Sequence, residues 1–62
     1  MPTLFRLESR PQGLQFTGRI EFEPASLWAR YILPASGAVV WQCVGASGEV
    51  SWFRETVMIL AC

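Results

Sequence analysis

Alternating apolar and polar positions predict two strands in the first third of the chain. Residues 3–8 place Phe5 and Leu7 on one side of an extended strand, and residues 14–22 alternate more regularly still. Between them, Pro11 and Gly13 hold the second and fourth positions of a four-residue turn, which predicts a first hairpin. Gly18 interrupts the apolar side of the second strand and indicates either a bulge or a space for a bulky neighbour.

The spacing of large side chains changes between the third and fourth prolines. Leu27, Trp28, Tyr31 and Ile32 recur at steps of one and four, as on one side of a helix. Pro24 suits a first helical turn, and a second proline at position 34 would end the run, so we expect a short helix here. The alternative is a strand, because Trp, Tyr and Ile also favour sheets.

Two further apolar segments predict a second hairpin. Residues 38–44 and 49–60 are joined by a four-residue link bounded by glycines. Pairing residues whose numbers sum to about 93 sets Trp41 opposite Trp52 as a cross-strand aromatic pair. The last strand is apolar on both sides after Glu55, so we expect it at the centre of a sheet or at an interface.

These elements predict a single small domain, residues 1–62, of the α+β class. Two hairpins flank one short helix in the order β-β-α-β-β, and the antiparallel sheet carries the helix on one side. The alternative is a five-stranded small β-barrel in which residues 27 to 33 form the middle strand.

Composition bears on stability and on partners. The 62 residues are 52 % hydrophobic, with five basic and five acidic side chains and no net charge. Neutrality argues against nucleic acid as a partner. A chain this short buries too little surface on folding to be very stable alone. The apolar surplus therefore favours association with another chain or with a second copy.

No signal peptide and no membrane span of about 20 apolar residues is recognisable in the sequence. This predicts a cytoplasmic protein, in the host cytoplasm if the chain is phage-encoded.

Missing residue types exclude most catalytic chemistry. The chain has no His, Lys, Asp or Asn, so it lacks a side chain that titrates near neutrality and a Schiff-base amine. Cys43 and Cys62 match no zinc spacing, and the glycines form no phosphate-binding motif. We therefore expect no metal, no cofactor and no enzymatic activity.

Three isolated features are candidate sites. The Met1-Pro2 start resembles that of the tautomerase family, in which an N-terminal proline acts as a base. In that family a long helix follows the first strand. Here the sequence of residues 10–24 predicts a turn and a strand instead. Cys43 is interpreted as a small buried strand residue. Glu21 and Glu23 are interpreted as part of a solvated strand side.

Aromatic residues beside arginine are the strongest candidate for function. Such residues dominate interface hot spots, and the predicted partner interface consists of Trp28, Trp41, Trp52, Phe53 and Arg54. We therefore predict a non-enzymatic protein–protein interaction module. It would either self-associate or act as a small subunit or inhibitor that binds a larger protein through an aromatic sheet side. A binder of single-stranded nucleic acid is the alternative, and a small oligomeric enzyme a further one.

Overall fold

The computed structural model describes residues 3–56, and they form one five-stranded antiparallel sheet. The strands are β1 (Thr3–Leu7), β2 (Gln15–Glu23), β3 (Ser26–Leu33), β4 (Ala38–Gly45) and β5 (Val50–Thr56). No helix occurs among these residues, so the α+β prediction is wrong. The five-strand alternative is closer to the structure, although β1 and β2 form the two edges of an open sheet and do not pair with each other. The described part of the chain also contains no helix long and apolar enough to cross a membrane.

The expected helix is strand β3, and its sequence shows why the pattern was ambiguous. In β3, Leu27 and Tyr31 lie on one side of the sheet, whereas Trp28 and Ile32 lie on the other. Aromatic side chains cluster around β3 on both faces of the sheet, so β3 carries apolar residues on each face and these need not alternate. Two apolar pairs on opposite sides of a strand thus mimic the spacing of one helical stripe.

A tight turn after β2 also replaces the expected helix start. Glu23 pairs with Ser26, which leaves Pro24 and Ala25 as the two central turn residues. Ala25 has a φ of 64°. Proline at the second position and positive φ at the third are the features of a type II turn, where glycine is the usual third residue. Pro24 therefore fixes a turn here, with β2 and β3 paired on either side of it.

The first predicted hairpin is wrong, because β1 pairs with β5. The strand order is β1-β5-β4-β3-β2, so only β2 to β5 form a meander of neighbouring hairpins. Thr3 lies opposite Thr56 and Leu7 opposite Trp52. Gly13 does adopt the positive φ of a turn, at 78°, within the segment that carries the chain from one sheet edge to the other. The last strand lies inside the sheet as expected, between β1 and β4, although β4 is the central strand.

A bulge in β2 confirms the expectation at Gly18. Phe16 lies opposite Tyr31 and Ile20 opposite Ala29, so the three residues between Phe16 and Ile20 face a single residue of β3. Gly18 has a φ of 81°, a conformation that glycine adopts without steric cost. The Thr17 hydroxyl donates to the carbonyl of Arg30 and fastens the bulge to β3.

Pairing places residues of neighbouring strands on a common side, and this defines two faces. We call the apolar face the side formed by three cross-strand rows: Phe22–Leu27–Val44–Val50, Ile20–Ala29–Gln42–Trp52–Leu7, and Phe16–Tyr31–Val40–Arg54–Phe5. We call the opposite side the charged face, because it carries Arg6, Arg19, Glu21, Glu23, Arg30 and Glu55. Arg54 is the one charged strand residue on the apolar face within residues 3–56.

Burial is shallow and centred on β3 and β4. Val40 is completely buried and Ala29 nearly so on the apolar face, while Trp41 is buried on the charged face. Every residue of β2 is exposed. A single sheet needs a second layer to cover its apolar side, and none of the five described strands supplies one.

Candidate functional site

The five predicted interface residues lie on two opposite faces. Trp41 pairs with Phe53, and Trp52 pairs with Gln42, so the predicted Trp41–Trp52 pair does not form. Strand β4 extends to Gly45, one residue further than predicted, and the Gly45 amide donates to the Glu49 carbonyl at 2.9 Å at the end of the hairpin. The true register is one residue away from the expected one, and such a shift moves every side chain to the other face. Trp28, Trp41 and Phe53 consequently lie on the charged face, with Trp52 and Arg54 on the apolar face.

An aromatic cluster stands at the centre of the charged face. The rings of Trp28 and Trp41 meet edge to face, with centroids 6.5 Å apart, and Phe53 lies 5.4 Å from Trp28. Trp41 Nε1 donates to Glu55 Oε1 at 2.6 Å. The buried Trp28 Nε1 has no hydrogen-bond partner among the described residues. The cluster is packed against the sheet, so its rings serve first as a structural core.

Beside this cluster lies an open groove of about 700 Å³. Trp28, Trp41 and Leu4 form its apolar wall. Its charged lining consists of Glu21, Glu23 and Glu55 together with Arg19 and Arg30. Three carboxylates against two guanidinium groups leave the groove with a net negative lining. A phosphate backbone would be repelled there, even though aromatic rings and arginine stand side by side.

The ion pair in this groove is a surface feature. Arg19 donates through Nε and a terminal nitrogen to Glu21 Oε1, at 2.9 and 2.6 Å. The two side chains are 64 % and 45 % exposed. Exposed pairs of this kind contribute little to stability. The structure therefore fits the interpretation of Glu21 as a solvated residue of the strand.

A second aromatic cluster occupies one part of the apolar face. Tyr31 lies between Phe16 and Trp52, with centroid distances of 5.5 and 5.7 Å. Its hydroxyl contacts the side-chain oxygen of Gln42 at 3.3 Å. The Arg10 guanidinium lies over the Trp52 ring, 5.4 Å from its centre, and brings the β1–β2 connection against this face. These contacts partly cover two of the three rows of the apolar face, the row that contains Trp52 and the row that contains Tyr31.

The most exposed apolar side chains are ones that the interface prediction missed. Phe22 is 78 % exposed and Phe5 54 % exposed, each on an edge strand. Phe16, Ile20 and Val50 are also about half exposed on the same face. The alternation of residues 14–22 placed Phe22 on the apolar side, and its position at the end of an edge strand is what leaves it uncovered.

Cys43 is a poor nucleophile in this setting. It is a free thiol on β4, half-buried on the charged face. Burial raises the pKa of the Cys43 thiol, and the negative charges of Glu49 and Glu23 raise it further. A raised pKa keeps the thiol protonated at neutral pH, and the thiolate is the reactive form. Pro2 and Cys62 lie outside the described residues.

No group of three or more potential metal-ligating side chains occurs within residues 3–56. Searches against protein-family models, curated proteins and solved structures give no match. The two faces of the sheet are therefore the features that bear on function. Of these, the apolar face carries the uncovered surface.

Proposed function

We propose that this chain is a non-enzymatic protein–protein interaction module that self-associates through its apolar face. The observation that carries the proposal is the end row of that face, Phe22–Leu27–Val44–Val50. It crosses four strands without a polar residue, and Phe22 is 78 % exposed at one end, with Val50 49 % exposed at the other. An uncovered apolar strip of this kind on a small protein marks a contact surface.

The energy available from covering this row is considerable for so small a protein. Fully burying a Phe or Val side chain contributes about 1.5–3 kcal/mol. Burial of the exposed parts of Phe22 and Val50 would thus contribute about 2–3 kcal/mol from each chain. A domain of this length has a stability of only about 3–9 kcal/mol in total. Before the loss of translational and rotational freedom on association is subtracted, this burial is comparable with a large part of the folding stability.

A second copy of the chain suits this face on electrostatic grounds. The protein carries no net charge, so two copies do not repel each other. The end row is uncharged, and the exposed Arg54 lies two rows away from it. Two sheets packed face to face about a two-fold axis would lie about 10 Å apart and supply the missing second layer for each other.

The proposal reassigns the predicted interface. Trp52 and Arg54 belong to the apolar face and can take part in the contact. Trp28, Trp41 and Phe53 line the opposite face, so one flat partner cannot cover all five residues. We also propose a cytoplasmic location, where the Cys43 thiol would stay reduced.

Light scattering coupled to size-exclusion chromatography tests the proposal over a hundredfold range of concentration. We expect a mass of at least two chains, and we expect Phe22→Glu to raise the dissociation constant by at least about tenfold. Gln15→Glu is the matched control, since it adds the same charge to an exposed position of β2 on the other face.

Two results would overturn self-association through this face. One is a wild-type mass of a single chain over the whole range, which would leave the apolar face for a larger protein, as expected of a small subunit or an inhibitor. The other is an equal effect of Phe22→Glu and Gln15→Glu, which would place the contact elsewhere on the molecule.

A further inference from the structure

The two edges of the sheet are protected to very different degrees. The outer edge of β2 is interrupted by the bulge at Gly18 and carries the charges of Arg19, Glu21 and Glu23. Bulges and charges on an edge strand are the devices that prevent pairing with another chain. Strand β1 has five consecutive regular pairs with β5, no bulge and no proline, and Arg6 is its only charge.

We infer that β1 pairs antiparallel with β1 of a second copy and extends the sheet across a two-fold axis. No strand among residues 3–56 pairs with the outer edge of β1, so the N–H and C=O groups along it are a template for another strand. The occupant is a second copy because β1 is complementary to itself in one register. That register follows from the charge and the length of the strand.

Centring the two-fold axis on Phe5 is the arrangement that uses the whole strand. It sets Phe5 opposite Phe5 of the second copy, Leu4 opposite Arg6, and Thr3 opposite Leu7, so all five residues are paired. Centring on Arg6 would place two arginines directly opposite each other, which is destabilising. Centring on Leu4 would leave Arg6 and Leu7 without partners in the described strand.

The side chains fit the Phe5-centred register on both faces. Phe5 is 54 % exposed on the apolar face, so the two rings would cover each other as a cross-strand aromatic pair. Leu4 is 42 % exposed on the charged face. The aliphatic stem of Arg6 from the second copy would lie over Leu4 while its guanidinium stays in water.

This contact is independent of the one proposed above. A two-fold axis that relates antiparallel edge strands is perpendicular to the sheet, so the apolar faces of both copies stay on the same side. Phe22 lies on β2, at the opposite edge of the sheet from β1. Phe22→Glu therefore weakens the face-to-face contact without altering the edge strand β1, and the two proposals can fail separately.

Disulfide cross-linking tests the register. The background is the full chain carrying Cys43→Ser, Cys62→Ser and Phe22→Glu, with its fold checked by circular dichroism. Phe5→Cys would place two Cα atoms about 4.5–5.5 Å apart across the axis, within the range of a disulfide. Leu4→Cys is the control, because the two-residue offset separates its two Cα atoms by about 8 Å.

With oxidised glutathione, we expect Phe5→Cys chains to form disulfide-linked dimers at least fivefold faster than Leu4→Cys chains. Random collisions would give equal rates, and equal rates overturn the proposal. As a second measurement, Phe5→Glu in the same background opposes two carboxylates across the axis, and we expect it to leave a mass of one chain. A Phe5→Glu mass equal to that of the background would likewise overturn it.

Discussion

The hydrogen bond between Trp41 and Glu55 should be one of the largest single polar contributions to stability. Trp41 is 9 % exposed, and its Nε1 donates to the half-buried Glu55 carboxylate at 2.6 Å. Hydrogen bonds to charged groups contribute about 1.5–3 kcal/mol, and a buried donor without an acceptor costs about 1–3 kcal/mol. Glu55→Met keeps the length of the side chain and removes the acceptor, so we expect it to lower the free energy of unfolding by about 2 kcal/mol.

Urea unfolding followed by far-UV circular dichroism, at one protein concentration, measures this loss. For a small protein with a slope of about 1 kcal/mol per molar urea, the midpoint should fall by about 2 M. Trp41→Phe removes the donor, and in that background Glu55→Met should cost less than about 0.5 kcal/mol. A loss below about 0.5 kcal/mol in the wild-type background, or the same loss with and without the Trp41 donor, would refute the reasoning.

Three further predictions concern packing, backbone and thiol chemistry. Val40→Ala should lower the free energy of unfolding by about 2 kcal/mol because Val40 is fully buried, and the half-buried Val39→Ala about half as much, both measured in urea. Ala25→Gly should raise the thermal midpoint by an amount equivalent to about 0.5–1 kcal/mol, because glycine relieves the positive φ of the turn. With Cys62→Ser, Cys43 should react with iodoacetamide more slowly in the folded chain than in urea, with its rate rising only above the pH range of an ordinary thiol, because its pKa is raised. A drop in stability with Ala25→Gly, or equal alkylation rates in both states, would contradict the last two.

Several local features of the fold were predictable because they depend on neighbouring residues. The alternation of residues 14–22 places Phe16, Ile20 and Phe22 on one face, and the structure agrees. The hairpin between β4 and β5 is present, and the break at Gly18 is a bulge. In each case the sequence pattern indicates which face of a strand is apolar or where a turn lies. Both depend on a short stretch of sequence.

Features that depend on distant residues were not predictable in the same way. The alternation in β1 indicates which face of the strand is apolar, but it does not indicate which strand pairs with β1. In the structure that strand is β5. In β3, Leu27 and Trp28 lie on opposite faces and each is half-buried, so the apolar residues do not alternate and the pattern resembles that of a helix. In the structure β4 includes Gly45 and β5 begins at Val50, one residue later in each case than the sequence pattern predicts. The observed register therefore differs from the predicted one by one residue, and the predicted interface is divided between two faces.

The pairing of β1 with β5 has a consequence for how the chain is made. Synthesis produces Thr3–Leu7 first, and its partner Val50–Thr56 is among the last of the described segments to be made. The hairpins of β2 to β5 involve short loops and can form locally, whereas β1 must wait for a contact between positions 3 and 56. Until then β5 is itself an unprotected edge. Pairing of β1 with β5 thus closes the longest loop between paired strands in the described sheet, and until it forms the edge of β5 is open to a strand from a neighbouring chain.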